Sequence, residues 1–146
     1  MPFICLDCYE IYEDNIKETE NKNGNIRCPK RTCYGDVVQI DELLIPTIIL
    51  LNKKGYRTSY CCSGHFTTSM YENAYIMFKH NCQPPTIPKG FNGEYNFASQ
   101  AYVIRKWFKE DVEKERVENT LTTALELYKW ADSLPENENC IEEDGE

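Results

Sequence analysis

Residues 3–40 read FICLDCYEIYEDNIKETENKNGNIRCPKRTCYGDVVQI, and the four cysteines in this stretch decide how the chain begins to fold. Two residues separate Cys5 from Cys8, and four separate Cys28 from Cys33. A two-residue spacer lets one tight turn aim both thiolates at a single ion, and zinc takes four such ligands in a tetrahedron. Pro29 shapes the second turn, and Gly35 relieves crowding just beyond Cys33. The intervening segment is polar and turn-rich, with Asn23-Gly24 as a hairpin tip. A stretch with so little apolar content needs a staple to fold. The spacing therefore predicts a zinc ribbon over residues 1–38, in which Cys5, Cys8, Cys28 and Cys33 hold one structural Zn2+. Four protein thiolates leave no open position for water or substrate. Unliganded thiols, or disulfides in an exported protein, are the competing readings of the same spacing.

Outward from the ribbon the pattern changes. Val37 to Ile40 reads as a short strand. DELLIPTIILLNKKG, residues 41–55, reads as a helix with Asp41 as N-cap, Pro46 near the first turn and Gly55 as the stop. In YRTSYCC, residues 56–62, alternation places Tyr56, Thr58, Tyr60 and Cys62 on one side and Arg57, Ser59 and Cys61 on the other. A second strand is expected at 74–80, then a long proline-containing loop from 81 to 96, and a third strand at 101–108. The last helix is expected over 112–134, with Val117, Leu121, Ala124, Leu125 and Tyr128 facing inward. The fold class is α+β: the ribbon, then a small antiparallel or mixed sheet packed by two helices over residues 39–134, then an acidic disordered tail at 135–146.

Composition bounds the function. Hydrophobic residues make up 41% of the 146-residue chain and charged residues 27%, which excludes low-complexity, collagen-like and coiled-coil classes. No apolar run approaches the ~20 residues of a membrane helix. MPFICLDCYE lacks a basic stretch followed by an apolar one, so the reading is cytoplasmic, with no membrane partner. The net charge is −8, and residues 135–146 carry six acids and no base. A pI near 4.9 speaks against a general nucleic-acid binder, while the nearly neutral body leaves room for a local basic patch.

The second chemically informative stretch is TSYCCSGH, residues 58–65. A strand running into Ser63-Gly64 offers backbone amides and a hydroxyl, the material of an anion cradle. If the strands before and after it pair as a hairpin, His65 and His80 are expected at one edge. These residues suit three uses. One is an anion-binding loop built from Ser63, Gly64, His65 and His80, with charge from Arg57 or Lys79. Another is a second metal site, Cys62-x2-His65 with His80-x-Cys82. The last is a cysteine nucleophile with a histidine base. Small buried cysteines with no chemistry are the plain alternative.

Residues 38–80 also resemble the core of the tRNA wybutosine-synthesis methyltransferase family. The matching positions are Asp41, Leu51, Asn52, Thr58, Ser59, Cys62, Ser63, Gly64 and His80; His65 stands where the family has Arg, and Tyr60 and Cys61 where it has two serines. The resemblance implies a shared core and, as an alternative function, methyl transfer from S-adenosylmethionine to RNA. The leading expectation is a small zinc-containing binding protein, not an enzyme, that recognises an anionic ligand, a nucleic-acid end (RNA included) or a protein partner through the Cys-Ser-Gly-His loop. A purely structural zinc-ribbon adaptor is the remaining alternative.

Overall fold

The structure, a computed structural model, describes residues 2–12, 26–30, 33, 35–63, 73–108 and 113–138. Two antiparallel sheets and two helices make up this part of the chain. The first sheet holds β1 (Phe3–Cys5), β2 (Ile11–Tyr12), β3 (Ile26–Arg27) and β4 (Asp36–Gln39), in the order β2-β1-β4-β3. β1 and β2 flank the first cysteine turn, β3 and β4 the second, and β1 pairs with β4 through Ile4↔Val38. Successive side chains of a strand point to opposite faces, and β1 uses both. Phe3 and Cys5 pack with Cys28 and Val37, while Ile4 and Leu6 enter the main core with Ile40, Leu44 and Ile48. The predicted hairpin tip at Asn23-Gly24 lies outside the described residues.

Asp41 ends the first sheet and caps the next element. Its carboxylate accepts from the Leu43 N–H at 3.1 Å, opening a 3-10 turn over Glu42–Leu44 that runs into α1 (Ile45–Lys53). Pro46 sits in the first turn of α1, where its missing N–H costs no hydrogen bond. Gly55 stops the helix with φ +92°, and a Cβ there would lie 2.4 Å from the Asn137 carbonyl oxygen. Buried Asn52 fastens α1 to the next strand. Its amide donates to the Ile48 carbonyl at 2.8 Å and to Thr58 Oγ1 at 2.9 Å, and its oxygen accepts from the Thr58 N–H at 3.2 Å.

The second sheet holds β5 (Thr58–Cys62), β6 (Asn73–Phe78), β7 (Asn92–Asn96) and β8 (Ala101–Trp107), in the order β5-β6-β8-β7. All its pairs are antiparallel, and it has one strand more than expected, because β7 lies inside the stretch read as a loop. NGEYN has no β-branched residue, so propensity hides it. The strand pairs with β8 from Asn92↔Arg105 to Asn96↔Ala101, and Tyr102 lies across Gly93, where a Cβ would meet its hydroxyl oxygen. The simple alternation expected of β5 is also corrected. Thr58 faces Phe78 and Cys61 faces Ile76, so a bulge sets Ser59 and Tyr60 together against Met77.

The inner face of this sheet carries Ala74, Ile76, Phe78 and Ile104 against α1 and α2 (Glu113–Ser133). The inward face of α2 differs from expectation. Ala124 is buried as read and Val117 half-buried, but Leu121, Leu125 and Tyr128 are 47%, 54% and 41% exposed. Thr120, Thr123, Leu127, Ala131 and Leu134 are buried in their place. Both stripes have helical spacing. The buried stripe mixes Thr and Ala with Leu127 and Leu134, and Thr123 Oγ1 accepts from Lys106 Nζ at 3.1 Å. No helix among the described residues is long and apolar enough to cross a membrane.

The end of α2 is tied to the end of α1. Lys54 Nζ donates to the carbonyls of Ala131, Asp132 and Leu134 at 3.0, 2.7 and 2.7 Å. The Tyr56 hydroxyl donates to the Pro135 carbonyl at 2.6 Å, and the Asn137 N–H donates to the Lys54 carbonyl at 2.7 Å.

Candidate metal centre

Cys5, Cys8, Cys28 and Cys33 come together with all four sulfurs within 4.8 Å of one another. Cys5 and Cys33 sulfurs are 3.5 Å apart, those of Cys8 and Cys28 3.7 Å. A tetrahedral ion with ~2.3 Å bonds to sulfur sets its ligands about 3.8 Å apart. The donor set and spacing therefore fit a four-thiolate metal site. Cys5 and Cys28 are buried, Cys8 and Cys33 half-buried, and all four are free thiols. Among the described residues this is the one group of three or more metal-ligating side chains gathered at a point.

The chain around the sulfurs is built to hold them. The backbone N–H groups of Asp7 and Cys8 point at Cys5 Sγ at 3.4 and 3.5 Å, and Tyr9 takes φ 64° to turn the chain away. In the second turn the Cys28 N–H donates to the Gly35 carbonyl at 2.8 Å. Gly35 is required by its neighbour: a Cβ there would lie 2.2 Å from an Asp7 carboxylate oxygen. The Tyr12 hydroxyl sits 3.2 Å from Cys28 Sγ, a donor to a thiolate at that position. Burial raises the Cys28 thiol, but hydrogen bonds from Tyr12, the Lys30 backbone and the neighbouring thiols outweigh it and leave Cys28 below its ordinary value. Burial pushes Cys5 up to about 12 and raises Cys33 as well. Four thiols so crowded lose their protons together only in the presence of a cation.

Arg57 clamps this centre to the rest of the molecule. Its guanidinium donates to the Leu6 carbonyl at 2.8 Å and to the Asp7 carboxylate at 2.6 Å. Lys53 lies 5.2 Å from the centre of the Tyr9 ring, adding a second tie between α1 and the same turn. Sequence reasoning alone does not mark Tyr12 or the Asp7–Arg57 pair as part of the centre. The signal for Tyr12 is faint, an aromatic four residues past Cys8 in a stretch that otherwise reads as polar filler.

Ser63 and His80, of the expected loop site, are placed apart. Ser63 is buried and its hydroxyl donates to the Asp41 carboxylate. His80 is exposed, with Nδ1 3.1 Å from the Tyr95 hydroxyl. Cys62 pairs with Tyr75 and Thr58 with Phe78, so Ser63 and His80 lie beyond opposite ends of the β5–β6 pair. Five strand residues at ~3.3 Å each put on the order of 15 Å between them. The antiparallel pairing of β5 with β6 forces this separation. Arg57 is at the His80 end, committed to the metal-centre turn, and Lys79 Nζ lies 3.5 Å from Asp36. Gly64 and His65 are outside the described residues.

Among the described residues, neither a second ion nor a cysteine nucleophile finds its geometry at that edge. Cys82 is disulfide-bonded and buried, and it is at the opposite end from Cys62, so these two do not converge on an ion. Cys61 is inward-facing, and burial, reinforced by the Asp41 and Cys62 charges, pushes its thiol up to about 12. A nucleophilic cysteine needs the opposite shift. Asp41 also sets a negative charge beside Ser63, the wrong sign for a cradle that is to hold an anion.

No family model, no curated protein and no solved structure matches the chain. The likeness of residues 38–80 to the wybutosine methyltransferases rests on its short motif. In that motif, Asp41 is a helix cap and Asn52 a helix-to-strand tie. What stands at this point is an α+β chain with four cysteines clustered as a metal site.

Proposed function

We propose that the protein is a zinc-stabilised binding protein in which Cys5, Cys8, Cys28 and Cys33 hold one structural zinc ion. The observation that carries this is the sulfur cluster, with Sγ–Sγ distances of 3.5 and 3.7 Å against the ~3.8 Å of a zinc tetrathiolate. All four positions of such an ion are filled by protein, so the metal supplies folding energy rather than a reactive water. The ribbon is the part of the molecule that depends on the ion, and Ile4 and Leu6 carry that dependence into the main core.

Native mass spectrometry with metal analysis tests the reading. One zinc per chain is expected, and Cys28→Ser should lose it. Chelation should lower the melting temperature of the whole described fold, because β1 belongs to both clusters. A metal-free protein with intact Cys5–Cys33 order would refute the proposal. Adding S-adenosylmethionine is the control for the methyltransferase alternative; a ligand at a hundred times its Kd raises stability by about 2.7 kcal/mol.

A further inference from the structure

The second sheet has one face on the helices and one face on solvent, and the solvent face carries an aromatic and cationic array. Residues directly opposite in an antiparallel pair share a face. Tyr75 faces Arg105, and Asn73 faces Trp107, on the side away from Ala74, Ile76 and Phe78. Cys62 stands opposite Tyr75, and the β5 bulge places Tyr60 against Met77 on this same side. Tyr60 is 62% and Trp107 47% exposed. Sheet faces left to solvent ordinarily carry polar side chains. The main core is built on the other face, and on this one Tyr60, Tyr75 and Trp107 stand outside it, with Val103, opposite Met77, buried among the described residues.

Arg105 organises the array. Its guanidinium lies 5.5 Å from the centre of the Tyr75 ring and 5.7 Å from that of Trp107. Among the described residues no carboxylate pairs with it, and its Nε is buried without a hydrogen-bond partner. The cation is therefore held by ring faces and not neutralised by an acid. Charge is unevenly distributed along the sequence. Residues 113–146 hold eleven acids and three bases, which accounts for the whole net charge of −8. The rest of the chain is balanced, with thirteen of each sign. α2, which begins the acidic region, packs on the opposite face of the sheet. On the open face Glu94 is confined to the edge strand β7, beside Val103.

We propose that this face binds single-stranded nucleic acid, with bases stacking on Tyr60, Tyr75 and Trp107 and the backbone passing Arg105. Stacking rings with an interleaved arginine are the chemistry by which single strands are held without sequence readout. A duplex hides its base faces and offers this surface nothing to stack on. The recess of about 570 Å³ lined by Tyr56, Asn81, Gln83 and Glu136 is formed by residues other than these rings. Such binding goes beyond the metal reading and does not depend on which ion the cysteines hold.

Fluorescence anisotropy of labelled twelve-residue oligouridine and oligothymidine, titrated with the full-length metal-loaded protein, tests it. Saturable binding is expected, stronger than to a duplex of the same length. Tyr60→Ala and Trp107→Ala should each weaken it by about 5- to 150-fold, the loss of one stacked base, and Trp107→Phe should restore most of it. Arg105→Gln should flatten the dependence of log K on log salt by about 0.7 for each phosphate that the side chain no longer reaches. Equal affinity for the two oligomers means stacking alone; preference for uridine means the 2′-hydroxyl is read, and either result supports the face. Zinc content and circular dichroism on the same samples separate loss of the ribbon from loss of this surface. No anisotropy change up to about 100 μM protein, weaker than ordinary non-specific binding, overturns the proposal. Wild-type affinity in both alanine variants also overturns it.

Discussion

Lys54→Met removes one ammonium group while keeping most of the aliphatic stem, and it addresses how the last helix is held. The last carbonyls of a helix have no intrahelical donor. At the end of α2, three carbonyls, those of Ala131, Asp132 and Leu134, converge on Lys54 Nζ at 3.0, 2.7 and 2.7 Å. A hydrogen bond to a charged group is worth ~1.5–3 kcal/mol when buried. The Asp132 bond is exposed, and its carbonyl turns to water in the variant at little cost. The other two are part-buried and recover water only in part. Adding a few tenths for the positive charge at a helix C-terminus, we expect a loss of about 2–3 kcal/mol. For a chain of this size that is a fall in melting temperature of roughly 6–9 °C. Chemical denaturation measures the free energy. Hydrogen exchange locates it, and the last turn of α2 should exchange faster while β6 and β8 keep their protection. A stability within about 0.5 kcal/mol of wild type would mean that solvent replaces the ammonium without penalty, and the account of the helix end would be wrong.

Leu125→Ala, a substitution that costs ~2–5 kcal/mol in a core, should cost less than about 1 kcal/mol here, because the side chain is 54% exposed; thermal melts of Leu125→Ala beside Leu127→Ala decide it, and equal losses would overturn the assignment of the buried stripe. Cys61 should resist alkylation in the folded protein at pH 8, its thiol being held up to about 12. Because the unfolded thiol ionises near pH 8.5–9 and the folded one does not, its contribution is complete below that range and is lost on going up toward pH 12, at up to about 1.4 kcal/mol per pH unit. Denaturation midpoints of Cys61→Ala against wild type between pH 8 and 11 should converge with rising pH; parallel curves would refute the burial argument.

The features legible in the sequence share one property: a local rule carried them. Two short cysteine spacings specified the cluster, since each turn is built from consecutive residues and only one ion can satisfy both. Asp41, Pro46 and Gly55 marked the first helix by conformational preference alone, and the apolar run expected as a strand at 74–80 is β6, with burial alternating from Asn73 to Phe78. Where two local rules competed or a distant residue decided, the reading failed. Helix α2 carries two stripes of helical period, and hydrophobicity favours the wrong one; the buried one includes Thr120 and Thr123, which a hydrophobic count passes over. Strand β7 depends on pairing with β8, where Tyr102 covers Gly93 from nine residues on. The bulge at Ser59–Tyr60 shifts β5 out of simple alternation for want of any sequence mark.

The distance between Ser63 and His80 was also hidden in the sequence. The two residues bracket what reads as a single feature, but antiparallel pairing of β5 with β6 puts them beyond opposite ends of the pair. His65 lies outside the described residues. The clamp at Arg57 is hidden for a related reason. An arginine beside a glycine-serine loop looks like an anion ligand until the fold shows that the Leu6 carbonyl and the Asp7 carboxylate are nearer.

The two edges of the second sheet bear on how this protein behaves at high concentration. β5 and β7 are the outer strands, each with a row of main-chain groups that a foreign strand could pair with. The irregular register at Ser59–Tyr60 spoils the first row, since an incoming strand would have to carry a matching irregularity. The second row belongs to Asn92, Gly93, Glu94, Tyr95 and Asn96, a sequence poor in the residues from which fibrils are made. Gly93 cannot drift toward valine or isoleucine, because Tyr102 already occupies the space a side chain would need. The packing of Tyr102 on an unpromising segment is thus also what keeps that strand from becoming a template for aggregation.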